Sequence, residues 1–406
     1  GSRRGQDGYS HVVHGLVHAY RLSGYEPALM LAQKAITFIR RYFFEADGSF
    51  LSSPGNPSKA HFHAHSHMLL AMQKYAMTTG DQELTDFVVR SYERAKAYGA
   101  GVDWEEGVAV RTAGANLIGY FPELVNSPEW EGSELCEVAD MVAVAMALSE
   151  AGTGDYWDDA DRWIRNMFAE GQLMSTDWIY HLPEAGLRNP QLASFAPSMV
   201  DAYSSTVRVP ERNLGAFAGW PAANDWFVGN GSGIMHCCTA NGARTLYWIW
   251  DHALRHEAGG LRVNLLLNRA SPWADVNSYI PYQGRVDVKV KRPIELAIRI
   301  PEWVAPSDTR CRVNDEEHRV SWDGRYARIG PVKPSDVVTL TFPIGERTNV
   351  VHVEKQRFTI VRKGNDVVSI DPPGRYHPLY QRQHYRGDTT RWRKIERFVS
   401  GESIRW

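Results

Sequence analysis

Cysteine is scarce, with four residues in 406, so the chain is not a disulfide-built scaffold of the small secreted kind. Long apolar runs are missing as well. No stretch approaches the ~18 consecutive apolar residues that a membrane span requires, and no charged, hydrophobic and small-residue sequence marks a signal peptide. Excess charge is also lacking: 45 Lys and Arg stand against 47 Asp and Glu, a formal charge of -2. Neither nucleic acid nor a membrane surface is an expected partner, because a basic stripe is what would hold either. The chain has no initiating methionine, begins Gly1-Ser2-Arg3 and enters a helical pattern almost at once. An N-terminal portion beyond this sequence is therefore expected. Cysteines without evident partners point to a reducing compartment, hence a cytoplasmic location.

What is present is ordinary for a soluble globular protein, 43% hydrophobic and 23% charged. The length points to about two to three domains, with two folded units expected. Aromatics and histidine are plentiful, with 14 Trp, 18 Tyr and 15 His. Rings with polar tips suit a sugar-binding cleft, although protein cores consume them too.

From about residue 9 to 256 the apolar period is helical and comes in pairs. Tyr9 to Leu22 ends at Ser23-Gly24, His67 to Met77 at Thr79-Gly80, and Val138 to Glu150 at Thr153-Gly154. Each is followed by a second amphipathic run: Pro27 to Arg41, Glu83 to Tyr98, and Asp158 to Glu170. Glycine closing the first helix of each pair marks αα-hairpins. Hairpins recurring at roughly 50 to 75 residues, none able to bury its apolar face alone, predict a helical toroid. Asn241 to Leu254 reads as one more helix. Past Gly259-Gly260 the period changes to short β-branched runs between Pro and Gly turns, including Leu261 to Asn268, Val286 to Lys291, Glu295 to Ile300, Val337 to Phe342 and Phe358 to Val361. These predict an antiparallel β-sandwich. The expected division is a helical domain over 1–256, a β-sandwich over 257–370, and an aromatic, Arg-rich segment over 371–406 that packs back on the body.

Three of the cysteines fall into two short segments, Ser133-Glu134-Leu135-Cys136 and Met235-His236-Cys237-Cys238-Thr239-Ala240-Asn241. Adjacent cysteines rarely bond to each other, because the geometry of a disulfide does not suit a trans peptide. A shared metal ion is one account of them. Three thiolates and the Glu134 carboxylate make a tetrahedral zinc shell, and a thiolate bound there is held deprotonated. Three buried, inert thiols are the other account. Cys311 lies in the strand region and reads as a plain core thiol.

His14 and His18 stand one helical turn apart, and His67 opens the corresponding helix of the next hairpin. His14 and His67 thus fall near equivalent positions of repeated units, as sugar ligands on the inner wall of a toroid would. The alternating His61, His63, His65 and His67 mimic a metal-binding tract. His11, His61 and His63 are read as ordinary helix histidines. Carboxylates crowd the segment before Cys136: Glu123, Glu129, Glu131 and Glu134. Glycoside hydrolysis needs one as a proton donor, and apolar Tyr120 and Phe121 single out Glu123 through desolvation. Gly219-Trp220-Pro221 and Asn224-Asp225-Trp226 place Trp220 and Trp226 where a sugar ring would stack; core packing accounts for them equally well.

With these segments in view, the chain resembles glycoside hydrolase family 127, the zinc-dependent β-L-arabinofuranosidases of the DUF1680 type. The most specific part is Glu134-Leu135-Cys136 with Cys237-Cys238-Thr239-Ala240-Asn241, similar to that family's Glu-x-Cys and Cys-Cys zinc ligands. The resemblance implies an (α/α)6 toroid followed by a β-sandwich. It implies Cys237 as nucleophile and zinc ligand, with Glu134, Cys136 and Cys238 as the other ligands, and His14 and His67 as substrate-binding histidines. The family's acid/base spacing lands on Ile118, and Glu123 is the first acid after it. The segment between His67 and Glu123 is shorter than in the family, and Met235 stands where a polar or thiol residue often precedes the cysteine pair. A retaining glycosidase using zinc, acting on a small-molecule or oligosaccharide substrate, is the expectation. Two other classes compete: a non-catalytic carbohydrate-binding protein with a structural zinc, and a toroidal sugar epimerase or lyase using histidines.

Overall fold

The computed structural model describes residues 4–51, 60–98, 102–105, 108–111, 115–125, 132–182, 207–228, 233–257, 260–353 and 356–392. Its N-terminal part is helical. Three hairpins are formed by α1 (Arg4–Ser23) with α2 (Glu26–Phe43), α3 (Phe62–Thr79) with α4 (Gln82–Tyr98), and α5 (Leu135–Glu150) with α6 (Trp157–Trp163); α7 (His236–Ala253) follows. The first two hairpin turns work as their glycines indicate, whereas in the third Gly152, and not the expected Gly154, takes the left-handed conformation. Gly80 adopts φ 73°, a left-handed conformation open to glycine, and returns its N–H to the Ala76 carbonyl.

Composition decides which helix is inside. In α3 every residue from Phe62 to Gln73 is buried, and in α5 every residue from Leu135 to Leu148 is buried. A helix apolar on all sides has to be covered on all sides. By contrast, α2 buries one stripe, Ala28, Ala32, Ile36, Ile39 and Phe43. Helices α1, α3, α5 and α7 therefore pack side by side in that order, and α2, α4 and α6 back α1, α3 and α5. Among the described residues this is an arc of helical hairpins. Three helices also begin earlier than the apolar period suggests: α3 at Phe62, α5 at Leu135 and α7 at His236. The reason is that their first turns carry His, Glu and Cys, which break the hydrophobic pattern where the chemistry sits.

The C-terminal part is β. A five-stranded sheet has the order Ser321–Asp323, Tyr326–Val332, Ile294–Arg299, Gly260–Val263, Leu254–Glu257. A six-stranded sheet has the order Glu316–Glu317, Arg310–Val313, Val337–Thr341, Arg285–Val290, Ala274–Ser278, Arg269–Ala270. Pairing is antiparallel except between Ile294–Arg299 and Gly260–Val263, which run parallel. The two sheets share a core that includes Val263, Val288, Ile298, Cys311 and Leu340. A third sheet, Glu346–Val353, Gln356–Lys363 and Asp366–Asp371, behaves differently from the sandwich strands with which its sequence groups it. Its Val351, Phe358, Ile360 and Val367 belong to the core of the helices. Beyond it, Leu379 and Tyr380 are buried in that same core, and Arg382 pairs with Glu170 at 2.6 Å.

Candidate active site and metal centre

Two helix starts are brought face to face by the segment between them. Ser133 donates its backbone N–H to Pro221, Leu135 donates to Gly219, and Gly219 donates to Gly233. The stretch 216–221 thus runs between the entry to α5 and the entry to α7. Gly242 permits the close fit, since a Cβ there would lie 2.5 Å from the Phe217 ring. Phe217 in turn donates its N–H to the Thr239 hydroxyl at 3.1 Å.

Glu134 is the residue just before α5, where its side chain and that of Glu137 cap each other's backbone N–H groups. Cys136 lies in the first turn of α5, and Cys237 and Cys238 in the first turn of α7. Both helix N-termini direct positive dipole ends at this point, which favours anionic donors. The distances are close. Cys136 Sγ is 3.4 Å from Cys238 Sγ, and Cys237 Sγ is 4.0 Å from Cys238 Sγ. Glu134 Oε1 lies 3.7 Å from Cys237 Sγ and 3.6 Å from Cys238 Sγ. All four donor atoms fall within 4.8 Å of one another, and none of the cysteines is in a disulfide. A tetrahedron built on metal–sulfur bonds of about 2.3 Å has edges of roughly 3.8 Å, so the donors fit a zinc-sized ion. Asn241 supports the cluster from α7, its Nδ2 donating to Cys136 Sγ at 3.0 Å. Glu134, Cys136 and Cys238 are buried, whereas Cys237 is half-buried.

Charge is divided unevenly among the thiols. Hydrogen bonds from Cys136 and then Cys238 hold the Cys237 thiol far below its ordinary range. Burial pushes Cys136 well up. Cys238 is also raised: the Cys136 hydrogen bond acts to lower it, but its bond toward Cys237 and its burial prevail. The lowered thiol is the half-buried one of the three.

Glu123 is brought in by a two-residue pairing of Ala60–His61 with Leu124–Val125, and its carbonyl accepts the Phe62 N–H at 3.0 Å. Its Oε1 lies 3.2 Å from His61 Nε2, which is also 3.3 Å from Glu134 Oε2. One imidazole therefore bridges both carboxylates. The sequence reading of His61 as an ordinary helix residue missed it, and the only available signal was the start of the histidine tract beside a short strand. The expected rise of the Glu123 pKa is reversed. Burial does raise it, but the hydrogen bond and charge of His61, followed by the Trp220 side chain, outweigh burial and lower it. Glu134 is the raised carboxyl, chiefly through burial.

The other expected residues are distributed as follows. Trp220 reaches Glu123. Trp226 is 3% exposed, donates its Nε1–H to the Gly171 carbonyl at 3.2 Å and is a core residue with no face open for a sugar to stack on. His67 is buried on α3, and His14 on α1 faces it with ring centres 5.8 Å apart. His14 Nε2 lies 3.2 Å from His18 Nε2. Cys311 is buried in the sandwich core, away from the cluster. Glu129 and Glu131 lie outside the described residues.

No family model matches the chain, and no curated protein matches it. Solved structures do. A GH127 β-L-arabinofuranosidase from Geobacillus stearothermophilus T6 matches with TM-score 0.50 at 16% identity, covering 87% of this chain and 57% of that one. A structure described as a glycoside hydrolase matches with TM-score 0.56 at 16% identity, covering 87% and 59%. A second GH127 β-arabinofuranosidase matches with TM-score 0.53 at 15% identity, covering 88% and 55%. The chain spans a little over half the length of each of these proteins. None of the helices among the described residues is long and apolar enough to cross a membrane. The resemblance that rests on the Glu-x-Cys and Cys-Cys segments is thus met by the fold, which is that of a distant structural homologue of the family 127 β-L-arabinofuranosidases.

Proposed function

We propose that the protein is a retaining glycoside hydrolase of the β-L-arabinofuranosidase type, with Cys237 as nucleophile and a zinc ion held by Glu134, Cys136, Cys237 and Cys238. The observation that carries this reading is the convergence of three thiols and a carboxylate on one point, with Cys237 the one donor residue that is not fully buried. A purely structural ion has no need of an exposed ligand. When bound, zinc would keep the thiols deprotonated and fix their direction.

The residues would act in two steps. In the first, the Cys237 sulfur attacks the anomeric carbon while Glu123 gives a proton to the departing glycosidic oxygen, and the carbon–oxygen bond breaks. In the second, Glu123 takes a proton from water, the water oxygen attacks the same carbon from the opposite side, and the carbon–sulfur bond breaks. Two inversions leave the configuration retained. His61, bonded to both Glu123 and Glu134, holds the acid and the ligand in register. Trp220 orients Glu123, and His14 and His67 contact the sugar from α1 and α3. In this reading the arc of hairpins is part of an (α/α)6 toroid, the sandwich supports it, and the separate sheet over 346–371 and the segment 371–392 pack back on it, in a cytoplasmic protein.

The test is hydrolysis of nitrophenyl furanosides by the full chain, with β-L-arabinofuranoside the expected best substrate. Cys237→Ser should reduce turnover by at least about a thousandfold with the fold unchanged by circular dichroism. Product of inverted configuration by NMR, or undiminished turnover in Cys237→Ser, would refute the mechanism. A correctly folded chain with bound zinc and no activity on any glycoside would favour a carbohydrate-binding role.

A further inference from the structure

His63 and His67 stand one helical turn apart on α3, so their rings share a face. Asp140, from the neighbouring α5, reaches both. His63 Nδ1 is 2.8 Å from Asp140 Oδ2, and His67 Nδ1 is 3.7 Å from Asp140 Oδ1. The ligand atoms of the three residues lie within 4.8 Å of one another, and all three residues are at least nine-tenths buried. Yet the polar groups are not all satisfied: both ring nitrogens of His67 are enclosed without a hydrogen-bond partner. A buried polar group left unpaired is costly, and such groups in a native core call for a missing partner. A metal ion, which accepts a nitrogen lone pair, would supply that partner. Asp140 is meanwhile oriented from behind by Ser66 Oγ at 3.2 Å and Arg244 at 3.1 Å, the outer-shell support that ligating carboxylates have.

We propose that His63, His67 and Asp140 form a second metal site, a two-histidine, one-carboxylate set for a divalent first-row transition ion, distinct from the Glu134 and cysteine set. Imidazole nitrogens select zinc, cobalt or iron over magnesium and calcium. The ion takes the place of the proton now shared by His63 and Asp140, and that proton passes to solvent on binding. Losing it offsets one unit of the ion's charge, which Arg244 beside Asp140 otherwise opposes. Coordination through Nδ1 of His67, the nitrogen nearer Asp140, leaves its Nε2 for a sugar hydroxyl. Asp140 follows Cys136 by one turn of α5, so the two sites share a helix but no ligand. The proposal does not depend on Cys237 being a nucleophile.

The full chain, stripped of metal by chelation and titrated with Co2+ alone, tests it. Two Co2+ per chain are expected, one giving a thiolate-to-cobalt charge-transfer band and one without it. His67→Ala should lower the count from two to one and keep the band; Cys136→Ser should lower it to one and lose the band. A single equivalent in the unaltered chain that His67→Ala leaves in place, or two retained in His67→Ala, overturns the proposal. No band, together with one equivalent that His67→Ala abolishes, would sink the cysteine site while leaving this one standing. If a variant fails to fold by circular dichroism, anomalous scattering from a cobalt-soaked crystal of the unaltered chain decides. A peak within bonding distance of His63, His67 and Asp140 supports the site, and its absence rejects it.

Discussion

The sulfur atoms of Cys136 and Cys238 lie 3.4 Å apart although the residues are 102 positions apart in the chain and open two different helices. Nothing local holds them together. A disulfide could close that gap, but Cys237 and Glu134 approach the same point, and a bond between two sulfurs would leave the other two donors without a role. An ion uses all four. Cys238→Ser should therefore remove one equivalent of zinc per chain and lower the thermal midpoint. Cys311→Ser should leave zinc content unchanged, since Cys311 belongs to the sandwich core. Metal analysis beside a melting curve checks both, and a zinc content undiminished in Cys238→Ser would remove the cluster from consideration.

Leaving-group dependence reads the role of Glu123. General acid catalysis contributes about 10² to 10⁴ in rate, and less when the leaving group departs easily. Glu123→Gln should slow alkyl glycosides by that factor and nitrophenyl glycosides far less. Equal losses on both would move proton donation to another residue. His61→Ala, which frees Glu123 from its bridging imidazole, should shift the alkaline limb of the kcat/KM profile upward in pH, because His61 holds the Glu123 carboxyl low and the proton donor is lost as that carboxyl ionises.

The seam between α5 and α7 has a defined pH dependence. Glu150 accepts from His252 at 3.1 Å and pairs with Arg255. Burial acts to raise its pKa, but the His252 hydrogen bond and charge, and then Arg255, hold it below the ordinary carboxylate value. A carboxyl lowered on folding contributes stability above its unfolded pKa of about 4.3, and that contribution is lost as pH falls through the folded value. Glu150→Gln should cost about 2 kcal/mol at pH 7 and progressively less below pH ~4. Denaturant melts of both proteins across that range give the answer; a deficit independent of pH would mean the loss is packing alone.

Gly242→Ala probes the joint that brings the two helix starts together. The added methyl would lie 2.5 Å from the Phe217 ring, so either the ring or α7 has to move. Overpacking of this kind costs about 1 to 3 kcal/mol. Because Phe217 also donates to Thr239, beside the cysteine pair, zinc should dissociate faster from the variant. An Ala243→Ser control, at the exposed position next to it on the same helix, should cost no more than about 0.5 kcal/mol and leave the rate of zinc release unchanged.

Local rules determined much of this protein from its sequence. Helical pairs closed by glycine, the change to strand periodicity near residue 257, and the Glu-x-Cys and Cys-Cys segments are each written in consecutive residues, where φ preferences and apolar spacing act directly. The early starts of α3, α5 and α7 were harder to read, because histidines, a glutamate cap and thiols interrupt the apolar pattern at those turns. Only the tertiary structure decided which histidines matter. His61 faces Glu123 and Glu134, His63 and His67 face Asp140, and His65 points to the carbonyls of Phe43 and Leu51, three environments for one alternating tract. Spacing along a helix fixes the direction of a side chain, but the partner in that direction comes from another helix. The same holds for Glu123, whose apolar neighbours in sequence suggest a raised pKa while His61, 62 positions away, lowers it. It holds too for Trp226, whose ring the fold turned into the core, and for the last sheet, which took its place against the helices because its apolar face meets theirs.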